Sequence, residues 1–135
     1  MLDIAWQRKK SCYLPCLTNG KKLLFAPVSA GIEMAKNRYG ILEPQVAKQE
    51  LLQPKQLNLV LAPLIGFDSS GNRLGMGGGY YDRSFAFLKQ HKKWQRPHFV
   101  GIGYDFQQVE QLGSEEWDVP LESVISNKSL IHCKK

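Results

Sequence analysis

Leu57-Asn58-Leu59-Val60-Leu61-Ala62-Pro63 decides the fold. Its apolar run is nearly continuous, as in a parallel strand covered on both faces. Asp68-Ser69-Ser70-Gly71-Asn72 reads as a turn. Beyond a glycine-rich stretch, Tyr80 to Gln90 reads as a helix, because Tyr81, Phe85 and Leu88 fall at i, i+4 and i+7. Phe99-Val100-Gly101-Ile102-Gly103 supplies a second buried strand and Val124-Ile125 a last short one. Strand, loop, helix, strand is an α/β pattern.

Outward from this centre the signals weaken. Cys12-Tyr13-Leu14-Pro15-Cys16-Leu17 and Leu23-Leu24-Phe25-Ala26-Pro27 flank the turn signal Asn19-Gly20 and form a candidate strand pair. Pro15 and Pro27 each lack an N–H, which confines them to edges or strand ends. Leu2, Ala5 and Trp6 give residues 2–10 a helical spacing. Residues 28–56 are mixed and polar, punctuated by Gly31, Gly40, Pro44 and Pro54, and read as a long surface excursion with little regular structure.

With 135 residues, 43% of them hydrophobic and 22% charged, the chain fits one globular domain over 1–135. No apolar stretch reaches bilayer length and no signal peptide is visible, so the expectation is a soluble, cytoplasmic protein without a membrane partner. The formal net charge of +6 favours anionic partners. Its cations are dispersed as Arg8-Lys9-Lys10, Lys21-Lys22, Lys92-Lys93 and Lys134-Lys135, which argues against nucleic acid. Cys12, Cys16 and Cys133 match neither a disulfide framework nor zinc spacing, and reduced, buried thiols are the simplest reading.

Gly75, Gly77, Gly78 and Gly79 place four glycines in five residues before the helix. Such a run costs conformational entropy, and close approach of a ligand to the backbone would explain it. Successive N–H groups at a helix start form an anion cradle, and Arg73 stands at its entrance. A P-loop would end in Gly-Lys-Ser/Thr, whereas this loop ends in Gly-Tyr-Tyr. A dinucleotide fingerprint would follow its strand by a tight turn, and the chain from Pro63 to Gly75 is too long for that. A glycine turn shaped only for packing remains an alternative. By themselves, Asp82 is an ordinary first-turn acid, Asp118 a turn acid, Tyr80 and Tyr81 core aromatics, and Arg73 a surface cation.

Leu61-Ala62-Pro63-Leu64-Ile65-Gly66-Phe67-Asp68 followed by Gly71-Asn72-Arg73-Leu74-Gly75-Met76-Gly77-Gly78-Gly79-Tyr80-Tyr81-Asp82-Arg83 resembles the signature of 5-formyltetrahydrofolate cyclo-ligases, or methenyltetrahydrofolate synthetases. Gly40-Ile41-Leu42-Glu43-Pro44, Val100-Gly101-Ile102-Gly103-Tyr104-Asp105-Phe106-Gln107 and Glu116-Trp117-Asp118-Val119-Pro120-Leu121 agree. The resemblance runs from about Ala5 to Ser126, with small departures at Cys16, Gly66 and Gly113.

That resemblance implies a three-layer α/β sandwich with a largely parallel, Rossmann-like sheet. It implies an enzyme that closes 5-formyltetrahydrofolate to 5,10-methenyltetrahydrofolate using ATP and Mg2+, releasing ADP and phosphate. Arg73 and Tyr80 would be catalytic. Arg73, Leu74, Gly75, Met76, Gly77, Gly78, Gly79, Tyr80 and Tyr81 would contact ATP, and Met76 to Tyr80 would border the folate. Asp82 and Asp118 would hold the metal, while Glu43-Pro44 and Gln107 would give support near the cleft. The family also carries a basic first helix and a first strand that this chain lacks; Arg8, Lys9 and Lys10 align with a later helix. The missing segment predicts exposed sheet edges, self-association and weak or absent turnover by this chain alone. A catalytically silent nucleotide- or folate-binding module and a basic RNA-binding protein are the competing readings.

Overall fold

A computed structural model describes residues 5, 7–18, 20–74, 79–90 and 97–133. The chain divides into two compact units, Met1–Pro54 and Lys55–Lys135.

In the first unit the expected strand pair forms. Strands β1 (Cys12–Leu17) and β2 (Leu23–Val28) run antiparallel, Cys12 facing Val28 and Leu17 facing Leu23. Thr18 accepts from Lys21 and donates to Lys22, closing the loop. Asn19 lies outside the described residues. Pro15 sits mid-strand opposite Phe25, which a two-stranded ribbon tolerates because each strand has an unladdered side. Before β1, Ala5 and Gln7 are helical and the Lys10 N–H donates to the Ala5 carbonyl at 2.9 Å. Leu2 and Trp6, which carried the expected helical spacing, lie outside the described residues.

Residues 28–56 are more regular than their composition suggests. β3 (Met34–Lys36) and β4 (Leu42–Pro44) make an antiparallel hairpin. Phe25 and Leu52 exchange both backbone hydrogen bonds, at 2.9 and 2.8 Å, adding a bridge to the open side of β2. Short 3-10 turns cover Lys48–Glu50 and Pro54–Gln56. The surface excursion is thus corrected to a hairpin and two turns. Side-chain bonds from Asn37 and Glu43 organise it, and hydrophobic periodicity does not register them.

The second unit carries the α/β arrangement. β5 (Leu59–Pro63) pairs in parallel with β8 (His98–Ile102), β8 in parallel with β9 (Ser123–Ile125), and β9 antiparallel with β10 (Leu130–His132). The order β10-β9-β8-β5 is therefore mostly parallel, as expected. Strand β10 had no sequence signal. Although β5 is parallel, its burial alternates: Val60 and Ala62 are buried, while Leu59 is 54% exposed. Among the described residues β5 ends the sheet, so full cover of both faces does not extend along it.

Between β5 and β8 lie a small hairpin, β6 (Gly66–Phe67) with β7 (Arg73–Leu74), and two short helices, α1 (Tyr80–Ser84) and α2 (Phe87–Gln90). The expected single helix over 80–90 is thus broken at Phe85-Ala86. Leu88 and Lys89 donate to Phe85 and Ala86, tightening the chain into i→i−3 turns. Tertiary packing supplies the reason: Phe85 is fully buried and stacks on Phe99, ring centroids 5.2 Å apart, and on Tyr81 at 6.2 Å. Burying such a ring contributes about 2–3 kcal/mol, more than one helical hydrogen bond. Val60, Ala62, Leu64, Phe67, Val100, Val119, Leu121 and Val124 complete this core.

Candidate functional site

The turn joining β6 to β7 is built on Asp68, which is 2% exposed. One of its oxygens accepts from the N–H groups of Ser70 and Asn72, both at 3.0 Å. The other accepts from the Asn72 side chain at 3.0 Å and the Leu112 N–H at 2.9 Å. Burial pushes this carboxyl up, but the bonds from Leu112, Asn72 and Ser70 outweigh it and hold it below the ordinary carboxylate value. Gly71 completes the turn at φ +90°, where a Cβ would stand 2.5 Å from the Leu121 carbonyl oxygen.

Arg73 emerges from this turn as the first residue of β7. Its guanidinium Nη2 donates to Asp82 Oδ1 at 2.6 Å, with the two side chains only 11% and 17% exposed. It also lies over the Phe99 ring, 5.3 Å from the centroid. Asp82 comes from the first turn of α1, and its Oδ1 additionally accepts from the Val119 N–H at 3.0 Å. One carboxylate oxygen thereby joins the β6–β7 hairpin, helix α1 and the loop containing Asp118. The surface-cation reading of Arg73 fails for this reason. Its Nε is buried without a hydrogen-bond partner among the described residues, an uncommon cost for a guanidinium.

The structure places the remaining expected residues unevenly. Gly79 precedes α1 in a left-handed conformation, φ +68° and ψ 21°, and its carbonyl accepts from the Arg83 N–H at 3.0 Å. Tyr80 is half-buried, and Leu74 is 51% exposed. The Tyr81 ring belongs to the core, against Phe85 and Phe99. Burial raises its phenol pKa, with Arg73 pulling the other way. Gly75, Met76, Gly77 and Gly78, the heart of the expected cradle, lie outside the described residues. Asp118 accepts from the Glu115 N–H at 2.8 Å and stands one residue before the Val119 that bonds Asp82.

The expected supporting residues have structural work. Glu43 accepts from the Leu17 N–H at 2.8 Å and the Asn37 side chain at 2.9 Å, tying β1 to the β3–β4 hairpin. Gln107 donates to the Leu64 carbonyl at 3.0 Å and accepts from the Tyr104 N–H at 2.7 Å. Cys12, Cys16 and Cys133 are free thiols, half-buried where full burial was expected. Burial raises Cys16 and Cys133, helped by the nearby charges of Glu43 and Asp68 respectively.

Beside Asp82 opens a cleft of ≈ 500 Å³, walled by Gly79, Arg83, Lys89, Glu116 and Trp117. Sequence reasoning did not single out Arg83, Lys89 or Trp117, although Trp117 adjoins Asp118 in a motif already marked. Among the described residues no group of three His, Cys, Asp or Glu side chains is placed to hold a metal. The donors nonetheless suit Mg2+. The described bonds of Asp82 all use Oδ1 and the side-chain bond of Asp118 uses Oδ2, so among the described residues each acid retains an oxygen. A hard ion held by one or two carboxylates plus substrate phosphates needs no larger protein cage.

A sequence model of the 5-formyltetrahydrofolate cyclo-ligase family matches residues 1–127. The Haemophilus influenzae 5-formyltetrahydrofolate cyclo-ligase is 40% identical over 129 residues, covering 93% of this chain and 66% of the relative. The Escherichia coli K12 enzyme of that name is 39% identical over 128 residues, covering 93% and 68%. The NMR structure of Aquifex aeolicus 5,10-methenyltetrahydrofolate synthetase superposes with a TM-score of 0.75 at 28% identity, over 99% of this chain and 64% of that one. A Mycoplasma pneumoniae synthetase shares the fold, with a TM-score of 0.63 at 24% identity over 92% and 60%. The chain thus spans about two thirds of the length of the Haemophilus, Escherichia and Aquifex proteins.

Proposed function

This chain belongs to the 5-formyltetrahydrofolate cyclo-ligase family, and we propose that it acts in that family's ATP- and Mg2+-dependent closure of 5-formyltetrahydrofolate to 5,10-methenyltetrahydrofolate. The formyl oxygen attacks the γ-phosphorus as the bond to ADP breaks. N10 then attacks the activated carbon, phosphate departs with the former formyl oxygen, and N10 loses its proton. Such a reaction demands positioning and charge neutralisation rather than a protein nucleophile.

Arg73 is the buried cation directed at the phosphates, joined by the backbone of Leu74 to Tyr81. Met76 to Tyr80 border the folate, and the Tyr80 hydroxyl is set beside the reacting groups. Tyr81 contributes backbone, since its ring packs in the core. Asp82 and Asp118 hold Mg2+, which offsets phosphate charge when bound. The net charge of +6 suits two polyanionic substrates. No helix among the described residues is long and apolar enough to cross a membrane, and we assign the reaction to the cytoplasm.

The observation that carries this reading is the junction at Asp82 Oδ1, where Arg73 and the Asp118 loop meet on a carboxylate that lines the cleft. The test is calorimetric binding of Mg-ATP and 5-formyltetrahydrofolate, followed by the absorbance of the methenyl product. Asp82→Asn, still folded by circular dichroism, is expected to weaken Mg-ATP at least about tenfold and to abolish any product. A folded parent chain that binds neither substrate sinks the proposal.

A further inference from the structure

The cleft beside Asp82 reaches beyond the residues that the proposed reaction uses. Trp117 stands on its wall with 66% of its surface exposed. Exposure of a large ring is unremarkable on a loose loop, but this loop is pinned at four points. Glu115 and Asp118 exchange hydrogen bonds at 2.8 and 3.1 Å, the Lys89 ammonium donates to the Glu116 carbonyl, and Val119 donates to Asp82. The indole is therefore held out over the cleft by a fixed backbone.

Arg83 borders the same cleft from α1. Its guanidinium folds back on Gly79, so that a Cβ on that glycine would stand 2.8 Å from Nη1. Gly79 thus leaves room for a cation at the start of α1, in addition to adopting a positive φ. The cleft runs from the Asp82 carboxylate, to which Arg73 is bonded, and the Arg83 guanidinium to a flat apolar ring. Its size suits a ligand of cofactor dimensions. A planar heterocycle tethered to a polyphosphate matches that sequence of groups.

We infer that Trp117 is the stacking platform for the base of the bound nucleoside triphosphate, and that Arg83 is a second cation on its phosphates. The inference rests on the function proposed above and assigns that site's base-binding element. Every base offers a π face, so the ring supplies affinity while remaining tolerant of base identity.

Binding of Mg-ATP, Mg-tripolyphosphate and 5-formyltetrahydrofolate to the parent chain, Trp117→Ala, Trp117→Phe and Arg83→Gln tests it. Trp117→Ala should weaken Mg-ATP about tenfold and leave tripolyphosphate within about twofold, because only ATP carries a base. Trp117→Phe should restore most of the loss. Arg83→Gln should weaken both phosphate ligands to a similar extent. The inference is overturned if Trp117→Ala leaves ATP unchanged, weakens tripolyphosphate equally, or weakens the folate in place of ATP. Parent binding to ATP with an indifferent Trp117→Ala removes this inference alone, whereas a parent that binds neither substrate removes the proposed function as well.

Discussion

Asp68 and Asp82 are both largely buried carboxylates within one short stretch of the second unit, yet their surroundings differ in kind. Four N–H donors saturate both oxygens of Asp68, and among the described residues no cation pairs with it. Asp82 has one oxygen engaged by Arg73 and Val119, another without a described partner, and an open cleft alongside. The first carboxylate is spent on holding a turn; the second retains bonding capacity where a ligand can reach it. Complete satisfaction marks a structural acid, whereas partial satisfaction, beside an Arg73 Nε with no partner among the described residues, is the pattern the proposed metal ligand requires.

Removing Asp68 should produce the largest effect of the contrast. Asp68→Ala takes the acceptor from four part-buried donors and is expected to cost about 4 kcal/mol in urea unfolding. The same group imposes an acid limit. Its folded pKa lies below the unfolded value of about 3.9, so its contribution is present above that pH and is lost as pH falls through the lower folded value. Melting of the parent should therefore decline steeply below about pH 4, and Asp68→Asn should remove that portion of the decline. A parent and an Asp68→Asn variant with parallel acid profiles would refute the structural assignment.

Gly71→Ala comes next, at about 3 kcal/mol, because the positive φ is strained for alanine and the clash is with backbone that cannot rotate away. A change under about 0.5 kcal/mol would mean the turn is not held as described.

The smallest stability effect is expected at the carboxylate proposed to bind metal. Arg73→Met should cost about 1–2 kcal/mol, since the pair is partly buried and a similar apolar volume remains over Phe99. Its informative readout is Mg2+ without nucleotide. Arg73 occupies an oxygen of the proposed metal ligand, so releasing it should tighten Mg2+ alone about tenfold by calorimetry while weakening metal-free tripolyphosphate. Unchanged Mg2+ affinity would reduce Asp82 to the same structural class as Asp68.

The strands read at 12–17, 57–63 and 99–103 were legible because each is an apolar run that must be covered by something, and the structure places them at 12–17, 59–63 and 98–102. The turn at 68–72 was legible because Asp, Ser, Gly and Asn are its chemical requirements. The β3–β4 hairpin was not. Its strands have three residues each, too few for a period to register, and its loop is set by Asn37 Oδ1 accepting from Tyr39 and Ile41 at 2.9 and 3.1 Å. Strand β10 is equally short. In the site, Arg73 and Asp82 were picked out by their motif, but their ion pair was not visible from a separation of nine residues across a glycine loop.

By itself the sequence determined the α/β class, the positions of the long apolar strands, the glycine-rich approach to α1 and the family resemblance. Those follow from local chemistry: which runs must be buried, which turns need glycine, and which side chains stand in one motif. Only the tertiary structure decided that the helix breaks at Phe85 and that Tyr81 belongs to the core. It also decided that Asp68 is consumed by a turn while Asp82 keeps an oxygen for the cleft. These outcomes depend on groups distant in the chain, Phe99, Leu112 and Val119, whose approach no local pattern encodes.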